Sequence, residues 1–427
     1  MRSRAALLAL LGFVGIPAAR PLRLPTRRDA LTYAARASVG IAGLLNMPGE
    51  ALADTLRLYP DRDPSLGPQD YLKAVAAPEK PLNVIVTGAS SGIGRDAAVK
   101  MVKRGHVVSV PCRTMEQAER ICREITEDAE AFIPGSGVGR AVPFACDLAS
   151  LASVRKFAAA WQEEGPHRGK SGAGPLHVLA LNAGVAPSTD AKSPVRTKDG
   201  FEEAVGVNHL AHFLLANLLM PELRGCVPKS NENPPQRRLV VTASQVHDPA
   251  TPGGNVGPPA TLGDLSGLKG GPLFEMADGG SFDGDKAYKD SKLCNVLFVE
   301  EAARRLAAAT DATTAVSLSP GLITRTGLFR NQKSAFVKAF DFVAYNVARV
   351  AETVDFGGDC LLAACIAPEL GSAAANGIFY TNSKPGKHTF EAVEVSKEAQ
   401  EPGKAAALWA ISEGLVGLER SKACKEA

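Results

Sequence analysis

Short β-branched runs alternate along this chain with longer stretches in which apolar residues return every three or four positions. Asn83–Thr87, Val107–Pro111, Ala141–Ala145, His177–Leu181, Arg238–Thr242 and Thr314–Leu318 read as strands. Between them, Asp96–Arg104, Met115–Ala129, Leu151–Glu164, Phe201–Glu222 and Ala287–Ala308 carry the helical period. Strands separated by helices cannot pair as hairpins, so the pattern predicts an α/β fold built on a doubly wound parallel sheet. Two connections, Glu164–Pro175 and Asp248–Gly284, are long and rich in glycine and proline. No repeat or linker interrupts the pattern, which makes residues 76–427 a single domain with long loops.

The first 75 residues follow other rules. Arg2 and Arg4 precede an apolar run from Ala5 to Ile16 and small residues near Pro17–Ala19, the layout of a secretory signal. From Arg20 to Met47 the chain is arginine-rich with Asp29 as its one acid, as in an organelle transit peptide. Arg27-Arg28, the mildly apolar Ala30–Leu45 and Ala51-Leu52-Ala53 also resemble a twin-arginine export signal. The layers together resemble the bipartite leaders of algae with complex plastids. The expected destination is the plastid, in the stroma or at the thylakoid, with the lumen left open.

Composition adds limits. With 45% hydrophobic and 22% charged residues, the chain can bury a sizeable core. A net charge of +3 is too small to argue for nucleic acid. The eight cysteines show no CxxC pair and read as buried thiols. No acid or cysteine completes a ligand set around His209 and His212, so no metal is expected there.

The chemistry begins after the first strand, at Thr87-Gly88-Ala89-Ser90-Ser91-Gly92-Ile93-Gly94. Gly88 suits a tight turn, Gly92 lets a diphosphate approach the backbone, and Gly94 lets helix and strand pack closely. The diphosphate then meets the free N–H groups of a helix N-terminus. A strand before and a helix after make this a Rossmann dinucleotide site, with Ser90, Ser91 and Ile93 in the same turn. At the end of the second strand stand Cys112-Arg113, where an NAD enzyme would carry an acid. A guanidinium pairs with a 2′-phosphate, so Arg113 points to NADPH.

Tyr288 and Lys292 lie four apart in Ala287–Lys292 and so share one face of a helix. An ammonium near a phenol is expected to lower its pKa and make it a usable proton donor.

The T-G-x-x-x-G-x-G spacing and the Tyr288–Lys292 pair resemble the short-chain dehydrogenase/reductase family. That resemblance implies that Asp147-Leu148 hold the adenine and that Asn182-Ala183-Gly184 line the cofactor. It further implies that Pro320 adjoins the cofactor, that Asn208 supports the lysine and that Ser244 is the active-site serine. Asp199–Glu202, Gly254–Val256, Leu262–Leu265, Phe282–Gly284, Thr326–Arg330 and the tail from Ser396 to Leu418 are similar to light-dependent protochlorophyllide oxidoreductases. Membership implies that the pigment absorbs light, takes a hydride from NADPH at C17 of ring D and gains a proton at C18. Tyr288 would position or protonate it, Cys294 would lie near it, and the loop from Asp248 would help enclose it. Thylakoid association and a homo-oligomer are the partners expected besides the small-molecule substrate.

The chain also departs from that family. Ser319-Pro320-Gly321-Leu322 stands where the family has Y-P-G-C, putting Leu322 at the substrate-side cysteine, and Gln117 replaces a lysine. Two other readings therefore stay open: a dark NADPH-dependent carbonyl or retinol-type reductase, and a non-catalytic pigment- or NADPH-binding assembly protein.

Overall fold

The computed structural model describes residues 67–73, 81–130, 139–166, 176–224, 237–309, 312–332, 337–338, 341–347 and 350–418. The signal, transit and twin-arginine readings, and most of the loop Glu164–Pro175, fall outside the described residues.

A short helix, α1 (Pro68–Leu72), precedes β1 (Asn83–Val86), α2 (Gly92–Lys103), β2 (Val107–Cys112), α3 (Met115–Glu130), β3 (Arg140–Ala145) and α4 (Leu151–Glu164). After β4 (Leu176–Leu181) comes α5 (Glu203–Arg224), then β5 (Arg237–Thr242), α6 (Gly284–Ala308) and β6 (Thr313–Ser319). The chain closes with α7 (Val354–Ile366), β7 (Phe379–Thr381), β8 (Glu391–Val393) and α8 (Pro402–Leu415). The eight strands form one sheet in the order β3-β2-β1-β4-β5-β6-β7-β8. Every neighbouring pair is parallel except β7 with β8. The doubly wound α/β expectation holds, with an antiparallel edge that the apolar pattern did not disclose.

Both faces of the sheet are covered, which is why its strands are apolar on successive positions. Ile85, Leu179, Leu181, Leu239 and Val241 face a core shared with α4, α5, α6 and α8. Val84, Val86, Val178, Ala180 and Val240 face the opposite core, shared with α2, α3 and α7. α5 is long and apolar enough to cross a membrane, yet most of it is buried, as a core helix is.

Two expectations need correction. Leader and linker were drawn to residue 75, but α1 belongs to the domain. Leu72 is buried, Tyr71 meets the Tyr380 and Phe390 rings edge-on, and Gln69 Nε2 donates to Asp359 at 2.5 Å. The Asp248–Gly284 connection is also packed wall: Leu262, Leu265, Leu268 and Phe274 enter the core. Lys286 Nζ donates to the Thr261 carbonyl at 2.8 Å, and Lys289 Nζ donates to the carbonyls of Val256 and Pro258. Asp290 receives the Thr261 amide at 3.0 Å.

Candidate active site

A cavity of about 530 Å³ opens at the C-terminal ends of the central strands, where ligands of doubly wound sheets bind. Gly88, Ser90, Ser91, Gly92, Ile93 and Gly94 form one wall. Gly88 has φ +74°, and a methyl group there would come within 2.8 Å of Ala183 Cα. One on Gly94 would reach 2.5 Å from Asn182 Nδ2 and 2.6 Å from the Gly88 carbonyl oxygen. These positions exclude side chains for packing reasons, and α2 starts at Gly92, with its first three residues lining the cavity. The turn is pinned from below. Thr87 Oγ1 accepts the amides of Asn182 at 2.9 Å and Ala183 at 3.1 Å and pairs with His212 Nε2 at 3.0 Å.

Asn182 ties three strand ends together. Its Nδ2 donates to the Thr87 carbonyl at 3.1 Å, and its Oδ1 accepts from Thr242 Oγ1 at 3.2 Å. With Ala183 and Gly184 it lines the cavity floor. Arg113 stands exposed at the rim, with no hydrogen bond or ion pair among the described residues. Asp147 and Leu148 line the same end. Partial burial raises the Asp147 carboxyl, but hydrogen bonds from Lys198 Nζ at 2.8 Å and the Ala149 amide at 3.1 Å outweigh it and hold the group below its ordinary value. The acid is thus a fixed acceptor in the cavity that Arg113 also lines. Pro320 joins the lining at the far end.

The catalytic groups come from two elements. Asp283 caps α6, accepting from the Asp285 and Lys286 amides. That start sets the rotation that turns Tyr288 and Lys292 to the cavity, with Lys292 Nζ 5.6 Å from the Tyr288 ring centre. Ser244 follows β5, caps the turn Gln245–His247 and is hydrogen-bonded to the half-buried Tyr288. The long insertion before the tyrosine therefore leaves the serine–tyrosine pair intact.

The electrostatics differ from the expectation. Burial pushes the Tyr288 phenol above its ordinary value, with the Ser244 hydrogen bond pulling the other way. Burial also lowers Lys292 to about 8. Desolvation outweighs the ammonium here because the lysine is turned onto the Thr242 carbonyl, 3.0 Å away.

Asn208 lies in a π turn, Gly206–Leu210, within α5, a helix defect frequent at functional sites. Its Oδ1 accepts the Val185 amide at 2.8 Å; its Nδ2 donates to the Val185 carbonyl and to Ser291 Oγ, both at 2.9 Å. A methyl group on Gly184 would lie 3.5 Å from Asn208 Oδ1 and 3.7 Å from Lys292 Nζ. Asn208 sits behind the lining, beside the lysine, and braces the loop after β4.

Two substrate-side candidates are not brought in. Cys294 is fully buried in the core below α6, and burial raises its thiol well above the ordinary value. Leu322 packs half-buried on the cluster of Ala344 and Ala351, which Phe329, Val343, Tyr345 and Val350 also cover, outside the cavity lining. His209 is a packed residue, with its Nε2 2.9 Å from Ser412 Oγ. The six cysteines described are all buried thiols. Residues absent from the motif reading also line the cavity: Ala149, Val185, Glu203 and Ile323. They sit one to a few positions from recognised motifs, and adjacency was their one sequence signal. Thr326, Gly327, Leu328 and Arg330, quoted before as family signature alone, line it as well.

Comparisons with known proteins agree with this geometry. The short chain dehydrogenase family model matches residues 82–246. A chloroplastic protochlorophyllide reductase of Cucumis sativus is 38% identical over 341 residues, covering 79% of this chain and 78% of that protein. Protochlorophyllide reductase A, chloroplastic, of Oryza sativa subsp. japonica is 40% identical over 347 residues, covering 78% and 80%. Among solved structures, a putative uncharacterized protein from Mycobacterium paratuberculosis superposes with TM-score 0.53 at 27% identity, covering 80% of this chain and 97% of that one. The chain belongs to the protochlorophyllide reductase family of short-chain dehydrogenases and is an NADPH-dependent oxidoreductase.

Proposed function

We propose that this enzyme reduces protochlorophyllide to chlorophyllide in the light, with NADPH, as a step of chlorophyll biosynthesis in the plastid. The observation that carries the reading is the meeting of Ser244, Tyr288 and Lys292 with a complete dinucleotide cradle in one cavity, in a chain whose relatives bear that name and the word chloroplastic.

The residues fit the cofactor. The glycine turn at the start of α2 would hold its diphosphate, Arg113 a 2′-phosphate, and Asp147 and Leu148 the adenine, all of them lining the cavity. NADPH supplies the hydride. Lys292 holds the nicotinamide ribose and keeps positive charge near the phenol, while Ser244 orients the Tyr288 hydroxyl. Tyr288 delivers the proton for C18, directly or through a water it holds, since neither Cys294 nor Leu322 lines the cavity.

The same triad supports a second reading, a dark carbonyl reductase, since Ser244, Tyr288 and Lys292 can protonate a carbonyl oxygen without light. One experiment separates them. The purified protein is mixed with NADPH and protochlorophyllide in the dark and then illuminated while absorption spectra are recorded. Conversion on illumination supports the proposal. Pigment that binds but never converts refutes it, and dark oxidation of NADPH by carbonyl compounds would put the second reading in its place. Thylakoid contact and self-association belong to the proposal as expectations, testable by vesicle flotation and light scattering.

A further inference from the structure

Three cations line the cavity: Arg113 at the 2′-phosphate end, Lys292 beside Tyr288, and Arg330 beside Gly327. The first two have roles in the reading above, which leaves Arg330. Its neighbour in sequence, Arg325, is committed elsewhere: Nε meets Asp341 at 3.1 Å and the guanidinium stacks on Tyr345 at 4.6 Å. Arg330 forms no ion pair among the described residues. Its Nη1 rests on the Gly327 carbonyl at 3.3 Å, a neutral acceptor that leaves most of its N–H donors unused.

Its backbone is held in place. Asn331 Nδ2 donates to the Ala186 carbonyl at 3.1 Å, and Gln332 Nε2 donates to the Pro187 carbonyl at 3.0 Å. These bonds strap the segment after Thr326 to the loop after β4, across the cavity. The strap also touches the glycine turn, since a methyl group on Gly92 would sit 3.2 Å from Thr326 Cγ2. Gly327 faces the same turn. A methyl group there would lie 3.6 Å from Ser91 Oγ and 3.9 Å from Arg330 Nη1. Hydroxyl and guanidinium therefore flank one small space, open because residue 327 has no side chain.

We propose that Arg330 is a second phosphate-binding cation of this enzyme, taking an anionic oxygen of the cofactor diphosphate in the space between Ser91 and Gly327. The proposal rests on the nicotinamide-cofactor reading of the cavity. Backbone amides of a glycine turn are neutral donors, and a diphosphate crossing them gains from one forked cation. Arg330 differs from Arg113 in what it recognises. The diphosphate is common to NADH and NADPH, whereas the 2′-phosphate is not.

The test is a dark fluorescence titration of the purified full chain with NADPH, with NADH and with protochlorophyllide. Arg330→Gln should weaken both cofactors by a similar factor, about tenfold, toward the low end for a charge-assisted contact. Arg330→Lys should recover part of the loss, keeping the charge without the fork. Gly327→Ala makes only ordinary contacts with its neighbours, so it should fold normally and weaken both cofactors by filling the space. Unchanged affinity for both cofactors in Arg330→Gln overturns the proposal. So does a loss confined to NADPH, which would assign Arg330 to the 2′-phosphate, or a loss confined to protochlorophyllide, which would assign it to a substrate carboxylate. A wild-type chain that binds neither cofactor removes the cofactor reading and the proposal together.

Discussion

Lys292 Nζ donates to the carbonyl oxygen of Thr242 at 3.0 Å, joining the catalytic helix to the end of strand β5. The same carbonyl receives Asn295 Nδ2 at 3.2 Å, so it stays satisfied without the lysine. Lys292 is thus a buried ammonium held for function more than for stability. Burial lowers its pKa from 10.5 to about 8. The native state gives up this proton before the unfolded state does, so stability rises as pH climbs from about 8 to about 10.5, and the penalty is complete below 8. Lys292→Met should therefore abolish turnover yet stabilise the apo-protein at pH 7 by about 1–3 kcal/mol, with the gain shrinking toward pH 10.5. Guanidinium unfolding at the two pH values checks this; a variant less stable at both would refute it.

Arg113 should decide between the two nicotinamide cofactors. Arg113→Ala should cost NADPH about 1.5–3 kcal/mol of binding and leave NADH almost untouched. Titration with both cofactors measures the difference, and equal losses would remove Arg113 from the 2′-phosphate.

In the proposed reaction Tyr288 and Ser244 act on one proton. Tyr288→Phe should lower turnover by about 10²–10⁴-fold, the usual worth of a general acid. Ser244→Ala removes the hydrogen bond that pulls the phenol down, so the basic limb of the rate–pH profile should move to higher pH. A Ser244→Ala profile that keeps its shape and position would separate the serine from the proton step.

Leu322 packs on Ala344 and Ala351, in an apolar cluster that Phe329, Val343, Tyr345 and Val350 also cover. A thiol placed there by Leu322→Cys would meet those side chains in place of the cavity. Photoreduction should change by less than about threefold, while the lost apolar contact should cost about 1 kcal/mol. A large gain in rate would show that residue 322 reaches the pigment after all.

Helix α1 should mark the true start of the fold. A chain beginning at Gly67 should match the full-length protein in urea. One beginning at Leu82 loses the burial of Leu72 and the Tyr71 contacts with Tyr380 and Phe390. It should be less stable by about 2–4 kcal/mol. Equal midpoints for the two would show that α1 contributes nothing.

Much of the sheet was legible in the sequence, because parallel strands buried on both faces must be apolar at successive positions. α4 matched its expected Leu151–Glu164 bounds, helped by the Ser150 cap. The glycine turn was legible for a similar reason: at Gly88 and Gly94 no other residue fits, so the backbone constraint appears as residue identity. The Tyr288–Lys292 pair was legible because helical spacing alone puts both on one face. Helix α1 was hidden beneath leader chemistry, and the β7–β8 edge consists of strands too short to show a period.

What the tertiary structure alone decided concerns which groups meet. Burial is a property of the folded surroundings, and it reversed the expected shift of Tyr288 by desolvating the phenol and turning Lys292 onto a carbonyl. It sent Cys294 into the core and Leu322 into its own cluster. It also carried Arg330, distant in sequence from the glycine turn, to the space at Gly327 that Ser91 borders. Local pattern records what the backbone requires of each residue; the neighbours that set a side chain's charge and reach come from elements far along the chain.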